Sequence, residues 1–202
     1  MSPSGGTIYT SNITAGSLKV PESRAIAGLL LHGSTPKQWQ KALFVTNVLQ
    51  TRSPGTAQTL SHLITKRLRC VEQPMWKLIH SGSAVEATHA CLAAAIKSSS
   101  LLGDFLDLVL RVQYRAYKKS LSLGLWADYL EECRRRDPNM PAWSENTTNR
   151  LRSSVFTILA EAGYICSTRT RTLQKVHIVK PVLRYLVSHN ETYVLKCIEV
   201  GS

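Results

Sequence analysis

Gln58, His62, Lys66 and Arg69 recur at four-, four- and three-residue spacing, which lines up hydrogen-bond donors and cations on one face of a helix. Amide and imidazole groups can read base edges, and lysine and arginine neutralise phosphate. Just upstream, Arg52, Ser53, Thr56 and Thr59 place a cation and small hydroxyls at a helix start, where free backbone N–H groups bind anions. Arg67 lies beside the stripe. A second constellation comes later: Arg150 and Arg152 on a helix, then Arg169, Arg171 and Lys175 in a threonine-rich stretch. Acids are scarce around the first group, since Glu22 is the only Asp or Glu in residues 1–70 against eight lysines and arginines. Residues 71–140 are nearly neutral, residues 141–202 are basic again, and the whole chain carries +12. Such a charge attracts polyanions over roughly a Debye length, ~8 Å at physiological salt, and points to nucleic acid or anionic lipid.

Catalysis finds no comparable support. No phosphate-binding GxxxxGK[ST], dinucleotide GxGxxG, nucleophile-elbow GxSxG or zinc-binding HExxH occurs. Asp104 and Asp107 share a helical face, but no further carboxylate, lysine or ligand pattern completes a nuclease centre, so a solvated face is expected. The six histidines are scattered. The five cysteines stand more than twenty residues apart without CxxC spacing, which encodes neither a zinc site nor a disulfide framework and suits reduced, buried thiols. The Arg134-Arg135-Arg136 run, after Glu131-Glu132, complements the negative end of a helix, and Lys118-Lys119 reads the same way. Trp39, Trp76, Trp126 and Trp143 read as core anchors. Nothing calls for a metal or cofactor, and the expected molecule is a monomer.

The elements that position these residues are mostly helical. Proline opens helices at Pro21, Pro36 and Pro54, with Thr35 and Ser53 as N-caps for the last two. Further helices are predicted over 74–80, 83–99, 101–118, 122–136, 144–162, 181–188 and 190–200, and Gly33, Gly82 and Gly163 fall at left-handed stop positions. Residues 36–70 read as a helix-turn-helix whose second helix buries Ala57, Leu60, Leu63, Ile64, Leu68 and Val71. Another helix, capped by Ser144, turns Leu151, Val155, Ile158, Leu159 and Ala162 inward and Arg150, Ser154 and Thr157 outward. The stretch 164–179, rich in Thr, Val and Ile, is predicted to form a hairpin, and helix plus hairpin outlines a winged helix. The expected organisation is an N-terminal arm (1–20), a helical portion (21–136) with the first helix-turn-helix, a proline-rich linker (137–142) and a winged-helix-like unit (143–202). No apolar run approaches the ~20 residues that span a bilayer, and the first residues lack a secretory pattern, so a cytoplasmic protein is expected.

Several segments, in order, resemble the BrxA family, core components of BREX phage-defence systems: LKVPESRAIAGLLL (18–31), LQTRSPGTA (49–57), AAAIKSSSLLGDFLD (93–107), Trp143-Ser144-Glu145, VFTILAEAGY (155–164), Val176-His177-Ile178 and the ending 193–200. The resemblance implies an all-helical globular protein with two helix-turn-helix or winged-helix elements that binds double-stranded DNA. It also implies partners from the same defence system: a DNA methyltransferase, a phosphatase-like protein, ATPases and a protease-like protein. It brings no catalytic motif. Members have been labelled inner-membrane proteins, which the missing spanning segment opposes.

The reading is therefore a mainly α, non-catalytic DNA-binding accessory protein. Its main rival is a protein-interaction scaffold with an incidental basic surface. A nuclease or methylation subunit with its own active site is disfavoured by the missing motifs.

Overall fold

Proline and hydroxyl caps set three helix starts as their chemistry requires. In this computed structural model, which describes residues 8–13 and 16–200, α1 (Val20–Leu31) carries Pro21 in its first turn. At α2 (Pro36–Gln40), Thr35 Oγ1 accepts the Gln38 N–H at 3.4 Å and Gln38 Oε1 accepts the Thr35 N–H at 2.7 Å, a reciprocal capping box. At α3 (Pro54–Leu68), Ser53 Oγ accepts the Thr56 N–H at 3.2 Å. The remaining helices are α4 (Gln73–Ser81), α5 (Ala84–Ser98), α6 (Ser100–Asp104), α7 (Arg111–Arg115), α8 (Leu125–Arg136), α9 (Glu145–Glu161), α10 (Lys180–Ser188) and α11 (Thr192–Ile198), and no sheet forms among the described residues.

The chain divides into two compact units, each discontinuous in sequence: Met1–Ser17 with Ser99–His177 and Lys196–Ser202, and Leu18–Ser98 with Ile178–Leu195. The segment 137–142 lies inside the first of these. There Asp137 is buried and accepts hydrogen bonds from the backbone of Tyr9 and Asn139, and Met140 is buried beside it. Of the expected N-terminal arm, residues 1–7, 14 and 15 lie outside the described residues. Tyr9 and Ile13 are fully buried in the same unit, with the Tyr9 hydroxyl donating to Asp104 at 2.6 Å.

The second unit is built around α5, whose residues from Ala87 to Ile96 are almost all buried. Small alanines let neighbours approach it closely. Ile26 and Ala27 of α1, Ala57, Ile64 and Leu68 of α3, Met75 and Ile79 of α4, and Val182 and Leu186 of α10 complete this core. Helix α2 runs on into a π-helical segment, Lys41–Val45, where Ala42 and Leu43 are buried but Phe44 and Val45 remain exposed.

In the first unit, α6, a π-helical segment (Phe105–Leu110) and α7 follow one another without a break where a single helix is predicted over 101–118. Phe105 sits in an aromatic cluster, its ring centroid 5.2 Å from that of Tyr129, 5.6 Å from Trp126 and 6.1 Å from Phe156. Trp126 is thus a core anchor, whereas Trp39, Trp76 and Trp143 are half-buried. The inward set predicted for α9 is buried as expected.

Three expectations need correction. Gly33 (φ 58°) and Gly163 (φ 85°) are left-handed, but Gly82 is extended (φ −69°, ψ 168°), and a Cβ there would lie 2.4 Å from the Leu78 carbonyl oxygen. Asp104 and Asp107 are not on a solvated face. Each is about 8 % exposed. Burial would raise the Asp107 carboxyl, but hydrogen bonds from Lys196 (2.6 Å) and Arg111 (2.9 Å) outweigh it and hold the group below its ordinary value. The stretch 164–179 forms no strands. It doubles back through one antiparallel bridge, Ile165 to Leu173, with Cys166 N–H donating to Thr172 O and Gln174 N–H to Tyr164 O, both at 2.9 Å. Residues 119–121 lie alongside through Leu173 N–H to Lys119 O (3.0 Å) and Leu121 N–H to Arg171 O (2.9 Å).

Candidate nucleic-acid interface

On the second unit, α3 presents Gln58, His62, Lys66 and Arg69 to solvent, and Arg52, Ser53, Thr56 and Thr59 are exposed at its start. The hydroxyls there are already engaged: Thr56 Oγ1 lies 2.9 Å from Ser53 Oγ, and Thr59 Oγ1 donates to Gly55 O at 3.0 Å. A hydroxyl oxygen keeps further lone pairs, so these groups remain able to meet phosphate through water or directly. Arg67 is different. At 5 % exposure it is buried on the inner side of α3 and is no part of the outward stripe, because three-residue steps from Ile64 carry it toward the core.

The stripe does not stand on a bare surface. Gln58, His62, Thr65 and Arg69 form one wall of a groove of about 530 Å³, and Trp39, Gln40, Leu43 and Phe44 form the other. The connection 46–53 between the helices is longer than a tight turn and is fastened internally. Asn47, left-handed at φ 49°, donates from Nδ2 to Thr51 O (2.9 Å) and accepts from Thr51 N–H through Oδ1 (3.0 Å). Phe44 escapes sequence reasoning because the π-helical segment shifts it off the α-helical register.

On the first unit, α9 is capped by Ser144 Oγ, which accepts the Thr147 N–H at 3.3 Å. Arg150 is exposed and Arg152 half-buried. Ser154, expected outward, is buried with its hydroxyl donating to Arg150 O at 2.9 Å, and Ser153 takes the solvent position instead. Hollows of about 330 Å³ (Asn149, Arg150, Ser153, Thr157) and 260 Å³ (Arg152, Phe156, Thr168, Arg171) flank the helix.

The doubled-back segment adds exposed Arg169 and Lys175. Arg171 has a structural task. Left-handed at φ 53°, it donates from Nε to Leu121 O (3.1 Å) and from Nη1 to Thr168 O (3.2 Å), tying the turn to its neighbour. Beside it, Cys166 is exposed, unlike the buried Cys91, Cys133 and Cys197, and hydrogen bonds from Thr170 and Thr172 lower its thiol to about 7.

Some cations of the molecule are neutralised locally and those of the two faces are not. Lys19, Lys97, Arg111, Arg135, Arg136 and Lys196 all pair with carboxylates. Arg52, Lys66, Arg69, Arg150, Arg152, Arg169 and Lys175 enter no ion pair among the described residues.

These observations define a mainly α protein with two acid-poor cationic helix faces, and with neither a membrane-length apolar helix nor a cluster of three metal-ligating side chains among the described residues. The chain belongs to the BrxA family, whose profile matches residues 7–190. It is 50 % identical over 193 residues to a BREX protein BrxA of Paramagnetospirillum magneticum (strain ATCC 700264 / AMB-1), covering 96 % of this chain and 97 % of that one. A BREX protein BrxA of Escherichia coli O9:H4 (strain HS) is 30 % identical over 171 residues, covering 85 % of this chain and 80 % of the relative. The crystal structure of an uncharacterized protein from Magnetospirillum magneticum superposes with a TM-score of 0.88 at 47 % identity, covering 96 % of this chain and all of that one.

Proposed function

We propose that this chain is a non-catalytic accessory protein of a BREX phage-defence system that binds double-stranded DNA with little sequence preference. It acts in the cytoplasm as a monomer beside the methyltransferase, phosphatase-like, ATPase and protease-like proteins of the same system. The observation that carries the reading is the set of unpaired cations on stretches of chain poor in acids. Arg52, Lys66, Arg69, Arg150, Arg152, Arg169 and Lys175 enter no ion pair among the described residues, and the sequence holds no Asp or Glu between Glu22 and Glu72 or between Glu161 and Glu191. Arg52, Lys66 and Arg69 from one face, and Arg150, Arg152, Arg169 and Lys175 from the other, meet phosphates, with Ser53, Thr56 and Thr59 assisting. Gln58 and His62 are the side chains of α3 placed to touch base edges. Fluorescence anisotropy with unrelated duplexes at two salt concentrations tests this: similar affinities that weaken steeply with salt support it, and no duplex binding at high micromolar protein removes it.

The groove beside α3 favours a second reading. Its Trp39, Leu43 and Phe44 wall offers an apolar contact that phosphate does not need, which suits a protein partner. Under this scaffold reading, Phe44→Ala would abolish co-purification with another component of the system and leave duplex affinity intact.

A further inference from the structure

The geometry points to Tyr117 as a stacking platform for an unpaired base of DNA, a step that rests on the DNA-binding reading above. Helix α7 ends in a complete Schellman turn, with Tyr117 N–H donating to Tyr114 O at 3.0 Å and Lys118 N–H to Gln113 O at 3.1 Å. That turn requires a left-handed residue, and Tyr117 adopts φ 52° where glycine is the usual occupant. A bulky residue is strained there, and packing does nothing to offset the strain. At 93 % exposure, Tyr117 leaves more of itself in water than any other large apolar or aromatic side chain among the described residues.

Its surroundings specify the ligand. Arg115, Lys118 and Lys119 are all exposed, no Asp or Glu occurs between Asp107 and Asp128, and none of the three cations enters an ion pair among the described residues. Its chain neighbours Ala116 and Ser120 are exposed and small, and the nearest large exposed apolar side chain along the chain is Val112, five residues back. An aromatic face amid unpaired cations is the combination that holds a base and its flanking phosphates. The platform is also braced against the proposed DNA face: the Tyr114 hydroxyl shares its single proton between Gln174 O and Tyr164 O (3.1 Å to the latter), and Lys119 O accepts the Leu173 N–H. Arg169 and Lys175 belong to that same doubled-back segment.

The test compares a fully paired duplex with the same duplex carrying one bulged 2-aminopurine, by anisotropy and by 2-aminopurine fluorescence. Wild type should bind the bulged duplex about tenfold more tightly and quench the probe. Tyr117→Gly should lose both the preference and the quenching, and Tyr117→Trp should keep them. Because glycine relieves the left-handed strain, Tyr117→Gly should melt at or above the wild-type temperature, which separates lost stacking from lost folding. Wild type that binds both duplexes equally, or Tyr117→Gly that retains the preference, overturns this inference alone. Failure of wild type to bind either duplex removes the DNA-binding reading and this inference with it. Tyrosine-dependent pelleting with phosphatidylserine vesicles, without the bulge preference, reassigns the residue to a membrane surface.

Discussion

Replacing Arg67 by alanine removes a long stem from the interior of the second unit, whereas Lys66→Ala and Arg69→Ala trim the solvent face of the same helix. Arg67→Ala should therefore lower unfolding stability by about 2 kcal/mol, while Lys66→Ala with Arg69→Ala stays within about 0.5 kcal/mol of wild type and weakens duplex binding. Chemical denaturation read by circular dichroism, alongside anisotropy, checks both, and an Arg67→Ala protein of full stability would contradict the buried role. His89 gives a second residue-level expectation. Its Nδ1 accepts the Val179 N–H at 3.2 Å and burial lowers its pKa, so the folded state holds it neutral. The unfolded chain takes up that proton near pH 6.5, so the stabilisation is complete above that pH and declines as the pH falls, until the folded site also protonates. This site should contribute a slope of at most about 1.4 kcal/mol per pH unit. Denaturant midpoints at pH 7.5 and 5.5 should differ less in His89→Gln than in wild type, and equal differences would refute the assignment.

At the scale of elements, the doubled-back segment divides its cations between two tasks. Arg171 holds two carbonyls, so Arg171→Glu should cost about 1–2 kcal/mol through lost hydrogen bonds. Arg169→Glu should leave the melting temperature alone and weaken all duplexes alike, as expected of a backbone contact. A sequence-selective loss would instead assign base readout to this turn. The low thiol pKa of Cys166 provides an independent footprint, because a group near 7 is substantially thiolate at neutral pH. Saturating duplex DNA should slow maleimide alkylation of Cys166 several-fold, and unprotected alkylation would place the DNA elsewhere. How much of these elements was legible in sequence varied with range. The starts of α2 and α3 were readable because their caps act within four residues. The π-helical segment that exposes Phe44, and the single bridge where a hairpin was expected, depend on neighbours distant in sequence.

For the whole molecule, charge sets the salt dependence of binding. Seven exposed or half-exposed, unpaired cations on the two faces account for a slope of log K against log salt of about −6, at roughly −0.9 per phosphate, and Arg115, Lys118 and Lys119 would steepen it where they also meet phosphate. If both faces hold one duplex, the pair Lys66→Ala and Arg69→Ala and the pair Arg150→Ala and Arg169→Ala should each make the slope shallower by about two. A change in only one pair would restrict binding to one unit. Sequence by itself determined the mainly α class, the helix faces and the acid-poor distribution of charge, since caps, periodicity and composition are local or additive quantities. Only the tertiary structure decided that Arg67 is buried, that Asp104 answers a tyrosine near the N-terminus, that Arg171 braces a turn and that each unit is assembled from separated stretches of chain. Those outcomes follow from which surfaces meet, and burial redefines a side chain's partners in a way that spacing along the chain does not encode.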